Sequence, residues 1–259
     1  MKMRGITGKI VIVTGGAQGI GRGICERLAA EGARLVIVDI NEEAALALAS
    51  DLTEKGCSAT TYKADLCNVD EIDAMIQYVH GKYGSIDILV NNAGVQIREW
   101  ATEFDEAKFD LLMDLNLKAY YFASRAVARH MKEQAHGGAI VCVSSANSTR
   151  YTSRRSPYNI SKAAVNGLVG TLAVEWGRFN IRVNAVAPGY VLTDMVQKGI
   201  DEGIIDMETN FKVIPMKRLL RLDEIANGVC FLASEEASGI TGQTLFIDGG
   251  WSQCGLPED

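Results

Sequence analysis

Tyr158 and Lys162, four positions apart, carry the clearest chemistry in the sequence. Residues i and i+4 share one face of a helix, so the lysine ammonium can lie beside the tyrosine hydroxyl. A nearby cation favours the phenolate and lowers the tyrosine pKa from its usual value of about 10. Tyr158 is therefore a candidate general base near neutral pH. A Tyr-x-x-x-Lys pair is common by chance and usually lies exposed on a helix, so its meaning depends on the surrounding motifs.

A glycine-rich segment, TGGAQGIG at positions 14–21, separates the first predicted strand from the first predicted helix. Glycine lets the backbone turn sharply and approach a pyrophosphate, whose charge the free N–H groups at a helix start stabilise. Asp39 ends the next predicted strand, 18 residues after Gly21. A carboxylate there can accept hydrogen bonds from ribose hydroxyls and would repel a 2′-phosphate. The pattern favours NAD over NADP, with an ordinary strand-to-helix turn as the alternative.

Two later segments extend this expected cofactor site. Asp65 and Leu66 follow the third predicted strand, where Asp65 could lie at the adenine amino group. Capping of the next helix explains Asp65 equally well. The segment NNAG at positions 91–94 ends the fourth predicted strand and could close over the adenosine.

Short β-branched segments alternate with longer stretches of helical periodicity, which is typical of a parallel sheet covered by helices. The predicted strands are 9–13, 34–38, 59–63, 86–90, 139–143, 181–186 and 243–247. The predicted helices are 19–31, 41–55, 69–83, 106–134, 157–178, 193–209 and 222–233. We expect an α/β, three-layer, doubly wound Rossmann fold with a seven-stranded parallel sheet, and one dinucleotide-binding catalytic domain over residues 1–259. Ligands of such folds lie at the carboxyl ends of the strands.

The composition argues against several other classes of protein. A formal charge of −6 and a pI near 5.2 provide no cationic surface for nucleic acid or for anionic lipid, so we expect neither partner. No apolar stretch is long enough for a membrane span, and no signal-peptide pattern opens the chain, so we expect a cytoplasmic protein. The six cysteines lack C-x-x-C spacing and the three histidines are scattered, so we expect free thiols and no metal site.

Taken in order, TGGAQGIG, NNAG, Asn116, Ser145 and the Tyr158–Lys162 pair resemble the motifs of the short-chain dehydrogenase/reductase family, and the resemblance runs from Gly8 to Gly250. It implies that Tyr158 is the general base and that Lys162 lowers its pKa and holds the nicotinamide ribose. It also implies that Ser145 hydrogen-bonds the reacting oxygen. Asn116 would hold a water that completes a proton relay through Lys162. Ser144 competes with Ser145 for its role.

The same resemblance assigns a cofactor role to the segment after the sixth predicted strand. Thr193 matches a position that contacts the nicotinamide carboxamide, alongside the backbone of Val191; a helix N-cap is the alternative reading of Thr193. The expected NAD-binding residues are Gly15, Gln18, Gly19, Ile20, Gly21, Asp39, Asp65, Leu66, Asn92, Tyr158, Lys162, Pro188, Val191 and Thr193.

Four arginines lie in the loops expected around the substrate: Arg98, Arg150, Arg154 and Arg155. Guanidinium groups suit bidentate binding of a carboxylate, sulfonate or phosphate, so together with Ser145 they form the expected substrate site, and the substrate could be anionic. Solvated loop charges or subunit contacts are the alternatives. Around residues 91–99 and 151–158 the chain has a more local resemblance to sugar-acid members of the family, of the gluconate 5-dehydrogenase and 2-deoxygluconate 3-dehydrogenase type.

These observations predict hydride transfer between NAD and a secondary alcohol or ketone of a sugar, polyol or sugar acid. A 3-oxoacyl-thioester reductase is one alternative, and a non-catalytic nicotinamide-sensing or scaffold protein is another. The family resemblance makes the predicted helices 106–134 and 157–178 a subunit interface, which implies a homotetramer. Residues 190–215 would form a mobile lid over the substrate.

Overall fold

The computed structural model of the chain describes residues 2–202 and 206–254. Its strands are β1 (Ile10–Thr14), β2 (Arg34–Asp39), β3 (Ser58–Lys63), β4 (Ile88–Asn91), β5 (Gly138–Val143), β6 (Ile181–Pro188) and β7 (Thr244–Ile247). Its helices are α1 (Gly19–Ala30), α2 (Glu42–Glu54), α3 (Val69–Tyr83), α4 (Glu106–Met113), α5 (Ala119–Met131), α6 (Ser156–Trp176), α7 (Asp194–Asp201), α8 (Met207–Phe211) and α9 (Leu222–Ala233). A π-helical turn, Asp114–Lys118, joins α4 to α5. Within these residues, no helix has the length and apolar character needed to cross a bilayer.

The seven strands form one parallel sheet in the order β3-β2-β1-β4-β5-β6-β7, which confirms the predicted doubly wound fold. β1 pairs with β2 on one side and with β4 on the other. The chain therefore changes direction across the sheet between β1 and β4, and a crevice opens there at the carboxyl ends of the strands. The glycine-rich segment and the NNAG segment follow these two strands and meet at that crevice.

Two hydrophobic cores cover the opposite faces of the sheet. Along β1, Val11 and Val13 face the core packed by α1, α2 and α9, whereas Ile12 faces the core packed by α3, α5 and α6. All five residues of β1 are buried, as expected for a strand covered on both faces. This double burial holds the carboxyl ends of the central strands in fixed positions beneath the site.

Side-chain caps set the start of helices beside the site. Asn41 Oδ1 accepts a hydrogen bond from Ala44 N over 3.1 Å at the start of α2. Thr193 Oγ1 accepts one from Val196 N over 3.2 Å at the start of α7. Each cap satisfies an N–H group that has no partner within its helix.

Two predicted helices differ from the observed ones. The predicted helix 106–134 contains the π-helical turn, whose wider winding accommodates the inward-pointing and fully buried Asn116. The predicted helix 193–209 is instead α7 followed by α8. α7 ends where Glu202 precedes a glycine in the sequence, a poor helix former, and residues 203–205 lie outside the described residues.

Candidate active site

The glycine-rich turn after β1 is shaped by backbone contacts that only glycine permits. Gly15 and Gly19 have φ angles of +60° and +53°. A Cβ atom on Gly21 would lie 2.0 Å from the carbonyl oxygen of Gly15 and 2.6 Å from Asn92 Nδ2. Gln18 precedes α1 without a side-chain cap, so the first N–H groups of that helix are left for another acceptor. A bound pyrophosphate fits this arrangement.

Thr14 and Asn92 lock the ends of β1 and β4 together. Thr14 Oγ1 accepts hydrogen bonds from the backbone N–H groups of Asn92, over 2.9 Å, and Ala93, over 3.2 Å. Asn92 Nδ2 donates to the carbonyl oxygens of Thr14, over 3.0 Å, and Gly15, over 2.9 Å. Asn92 thus holds the glycine turn in place. Thr14 was not among the predicted site residues, although it opens the glycine motif.

Asp39 presents a buried carboxylate to the glycine turn. Its Oδ2 accepts from Ala17 N over 3.0 Å, and its Oδ1 accepts from Asn41 N over 3.0 Å. Ile40 follows with 63% of its surface exposed and supplies no cation. The end of β2 is therefore negative and rigid, which suits ribose hydroxyls and disfavours an additional phosphate.

Asp65 lies exposed after β3, while the neighbouring Leu66 is buried. The Asp65 carboxylate accepts from Cys67 N over 2.9 Å, and its backbone N–H donates to Glu71 Oε2 over 2.8 Å. The N-cap of α3 is Asn68. Asp65 therefore stabilises the turn before α3, and its exposed position at the strand end leaves an adenine contact compatible with that role.

Ser145, rather than Ser144, faces Tyr158. Ser144 Oγ bonds to the carbonyl oxygen of Lys162 over 3.1 Å and to Asn166 Oδ1 over 2.8 Å, so it points into α6. Ser145 Oγ accepts from Asn147 N over 3.1 Å, and its hydrogen bond to Tyr158 lowers the pKa of that tyrosine.

The net effect of the protein on Tyr158 is nevertheless to raise its pKa above the usual value, because burial outweighs the opposing effects. The opposing effects are the hydrogen bond from Ser145 and the positive charge of Arg155. The sequence predicted a lowering charge from Lys162 alone, and the structure adds that of Arg155.

Lys162 lies buried between β5 and α5 with its ammonium directed at the backbone. Its Nζ donates to the carbonyl oxygen of Val143 over 2.8 Å and to the hydroxyl of Tyr120 over 3.5 Å. The same nitrogen lies 5.9 Å from the ring centroid of Tyr158. Burial lowers the pKa of Lys162 to about 8, so this side chain can exchange a proton near neutral pH. Tyr120, one helical turn after Asn116, was not predicted.

Asn116 is fully buried in the π-helical turn and bonds to the loop after β4. Its Oδ1 accepts from Val95 N over 2.8 Å, and its Nδ2 donates to the carbonyl oxygen of Val95 over 2.9 Å. A Cβ atom on Gly94 would lie 3.0 Å from Asn116 Oδ1 and 3.6 Å from Lys162 Nζ. The structure therefore brings Asn116 and Lys162 to the same small space beside Gly94.

An amide network fixes the loop between Ser145 and Tyr158. Asn147 Nδ2 donates to Thr152 Oγ1 over 2.7 Å and to Asn159 Oδ1 over 3.0 Å. Asn159 Nδ2 in turn donates to the carbonyl oxygen of Thr152 over 2.9 Å. The sequence offered no distinct signal for this network, since the three residues share no regular spacing.

The segment after β6 crosses over to the glycine turn. Pro188 ends β6, and the buried Val191 bridges to Leu220. A Cβ atom on Gly19 would lie 3.8 Å from Thr193 Cγ2. Thr193 therefore both caps α7 and lies against the glycine turn.

Three of the four predicted arginines lie together. The N–H of Glu99 donates to the carbonyl oxygen of Arg154 over 2.9 Å, which joins the loop after β4 to the loop before α6. Burial lowers the pKa of Arg98, and the positive charges of Arg155 and Arg154 lower it further. Arg150, half-buried earlier in the loop, shares none of these contacts within the described part of the chain.

Comparisons with known proteins agree with this geometry. The family model described as Enoyl-(Acyl carrier protein) reductase matches residues 15–252. The chain is 38% identical to the 3-oxoacyl-(acyl-carrier-protein) reductase FabG of Chlamydia muridarum, over 95% of this chain and 98% of that protein. It is 36% identical to the 2-dehydro-3-deoxy-D-gluconate 5-dehydrogenase of Escherichia coli, over 95% and 96%. A gluconate 5-dehydrogenase from Burkholderia cenocepacia, in complex with NADP and tartrate, matches with a TM-score of 0.90 and 34% identity over 97% of each chain.

Proposed function

The chain belongs to the short-chain dehydrogenase/reductase family, and from this we propose that it is an NAD-dependent dehydrogenase that oxidises a secondary hydroxyl of a sugar, polyol or sugar acid. The observation that carries the proposal is the arrangement of Ser145, Tyr158 and Lys162 after β5, with Lys162 beside Gly94 of the loop after β4. A nicotinamide cofactor is a property of the family; the choice of NAD and the substrate class are our proposal.

In its phenolate form, which the hydrogen bond from Ser145 and the charge of Arg155 favour, Tyr158 takes the proton of the substrate hydroxyl. Ser145 holds the reacting oxygen in position. When bound, the nicotinamide supplies the acceptor for the hydride that leaves the carbinol carbon. Lys162 would hold the nicotinamide ribose and pass the proton onward, a role to which its pKa of about 8 is suited. Asn116 anchors the loop beside Lys162, and it would hold the water of the relay.

The glycine turn and Asp39 support NAD as the cofactor. Gly15, Gly19 and Gly21 give the backbone the close approach that a pyrophosphate requires. The carboxylate of Asp39, held by Ala17 N, would bind the adenosine ribose and repel a 2′-phosphate. Asn92 and Thr193 border this turn, and the remaining proposed contacts are Gln18, Ile20, Asp65, Leu66, Tyr158, Lys162, Pro188 and Val191.

The relatives support a polyhydroxylated substrate. One acts, by its name, on a deoxygluconate, and the related gluconate 5-dehydrogenase structure contains tartrate, a small hydroxy acid. That structure also contains NADP, so cofactor preference is a separate measurement from substrate class.

A 3-oxoacyl-thioester reductase is the second candidate, favoured by the 38% identity to FabG of Chlamydia muridarum. The same Ser145, Tyr158 and Lys162 would then work in the direction of reduction. Reductases of that kind commonly use NADPH, so the carboxylate of Asp39 weighs against this candidate. A non-catalytic sensor or scaffold is disfavoured because Asn116, Ser145, Tyr158 and Lys162 are all present.

We also propose one catalytic domain over residues 1–259, a lid formed by residues 190–215, and a homotetramer. Residues 203–205 of that lid lie outside the described residues. The homotetramer is supported by large apolar side chains exposed on α4 and α6, among them Leu111 at 47%, Ile160 at 53% and Val174 at 86%. Light scattering coupled to gel filtration tests this assembly, and a monomeric mass would contradict it.

Initial rates with a defined panel test the proposed activity. The panel pairs NAD and NADP with D-gluconate, D-glucitol, threonate and threitol, and pairs NADH and NADPH with acetoacetyl-CoA. We expect NAD-dependent oxidation of at least one of the four alcohols. Reduction of acetoacetyl-CoA alone would favour the second candidate, and turnover of no compound would favour the non-catalytic role.

A further inference from the structure

Arg155 is a buried cation with no counter-ion among the side chains that the structure describes. Only 7% of its surface is exposed, and it lies at the start of α6, three residues before Tyr158. Within the described side chains, no carboxylate pairs with its guanidinium, and no side-chain hydrogen bond satisfies it. Burying a charge without a partner is costly, so a bound anion that paired with this guanidinium would offset that cost.

The neighbouring charges add to this excess instead of cancelling it. The backbone bond between Glu99 N and Arg154 O, 2.9 Å long, holds Arg98 and Arg154 beside Arg155. The Glu99 carboxylate turns away from them and pairs with Lys108 Nζ over 2.8 Å. The nearest acidic side chain in the sequence is thus committed elsewhere, and the cluster of Arg98, Arg154 and Arg155 is left positive.

We infer that the substrate of the proposed dehydrogenase carries an oxyanion group, which is a carboxylate, sulfonate or phosphate. This group binds to Arg155, and Arg98 is the second residue that contacts it. This inference rests on the proposed function, whose substrate class it narrows to acids. The burial of Arg155 also limits the size of the molecule that can bind it. Because only 7% of the side chain is exposed, a group on a small molecule can reach it, whereas the surface of a carrier protein cannot. Guanidinium groups bind such oxyanions with paired hydrogen bonds.

Arg155 also acts on the base. Its positive charge lowers the pKa of Tyr158, and a bound oxyanion would compensate that charge. Removal of the charge favours the protonated phenol, so the pH profile for a neutral alcohol shifts to higher pH in an Arg155→Gln variant. A purely structural role of Arg155 would lower the rate without moving the profile.

Matched acid and neutral substrates test the inference. We would measure kcat/KM for gluconate against glucitol and for threonate against threitol, in the wild type and in Arg155→Gln, Arg98→Gln and Arg155→Lys. Arg34→Gln, at the exposed start of β2, is the control. We expect Arg155→Gln to lower kcat/KM for the acids roughly 30-fold more than for the neutral partners. The neutral partners lose only the part that comes from the shifted pH profile of Tyr158. Arg155→Lys, which keeps the charge and loses the fork of donors, should recover part of the loss.

Equal losses for acid and neutral substrates, or no loss for the acids, would overturn the inference and leave the dehydrogenase function intact. If the wild type oxidises nothing, the proposed function fails and binding decides the inference. Isothermal titration calorimetry of tartrate with the protein and NADH should then show binding. Arg155→Gln should weaken this binding by the factor expected for the acids relative to the neutral partners, roughly 30-fold. The absence of binding to the wild type would contradict the site. Glycerate, 2,3-dihydroxypropanesulfonate and glycerol 3-phosphate, each compared with glycerol, distinguish the three oxyanions.

Discussion

The side-chain amide of Asn116 and the backbone of Val95 form a closed pair of hydrogen bonds, 2.8 Å and 2.9 Å long. The pair ties the loop after β4 to the π-helical turn, next to the ammonium of Lys162. A regular α-helix would carry Asn116 around the axis to a different face, so the extra residue in this turn is what directs the amide inward.

Replacement of Asn116 by Ala should lower both stability and activity. It removes both bonds and leaves two backbone groups of Val95 without their partner, which costs about 1–3 kcal/mol in free energy of unfolding. Activity should fall as well, because the loop beside Lys162 loses its anchor. Urea denaturation measures the first effect, with Gln197→Ala on exposed α7 as the control. A change below about 0.5 kcal/mol would mean that the pair does not hold the loop.

Gly21→Ala should abolish cofactor binding. The added methyl group would overlap the carbonyl oxygen of Gly15, 2.0 Å away, and force apart the glycine turn that we propose binds the pyrophosphate. Gly81→Ala in α3 is the matched control, because nothing lies within 4 Å of its added Cβ. That variant should gain about 0.5–1 kcal/mol from helix propensity. Fluorescence titration with NADH compares the two, and equal affinities would contradict the assigned turn.

The cofactor choice should reverse when the charge at the end of β2 is reversed. We expect the ratio of kcat/KM with NAD to that with NADP to fall about 100-fold or more in the Asp39→Ser, Ile40→Arg double variant, which loses two charge-assisted hydrogen bonds to ribose and gains a cation for the phosphate. Ile40→Arg alone should keep a preference for NAD. A wild-type preference for NADP would refute the role given to Asp39.

Lys162→Met should stabilise the protein while it inactivates it. Burial lowers the pKa of Lys162 to about 8 from 10.5, so the folded protein binds fewer protons than the unfolded chain between these pH values. The free energy of unfolding therefore rises with pH through this window, and the burial cost is fully present below about pH 8. The variant should exceed the wild type by up to roughly 3 kcal/mol at pH 7, and the difference should shrink towards pH 10.5.

Guanidinium denaturation at pH 7 and pH 10 measures this difference. Lys55→Met, on the exposed surface after α2, should change the free energy of unfolding by less than about 0.5 kcal/mol at either pH. A Lys162→Met variant less stable than the wild type at pH 7 would show that the bond from Nζ to Val143 outweighs the cost of burial.

Much of the fold could be predicted because the strands are short, β-branched and separated by distinct turns. The start of β4 shows the limit, since the apolar pattern begins at 86 and pairing begins at Ile88. The π-helical turn around Asn116 could not be predicted, because one extra residue leaves the apolar periodicity of 106–134 almost unchanged.

The candidate site could also be predicted only in part. Motif spacing predicted that Ser145, Tyr158 and Lys162 lie together, since each follows or faces the end of β5. Spacing could not show that Lys162 Nζ bonds to Val143, or that Arg155 supplies the charge acting on Tyr158. Those contacts depend on side-chain directions that arise when the loops after β4 and β5 pack together.

Single-turnover hydride transfer in Tyr158→Phe tests the central claim most directly. With saturating NAD and the best alcohol of the panel, the variant should form NADH at least about a thousandfold more slowly than the wild type, because it lacks the base. Its affinity for NAD should stay nearly unchanged. A variant that binds NAD and transfers hydride at close to the wild-type rate would contradict Tyr158 as the base.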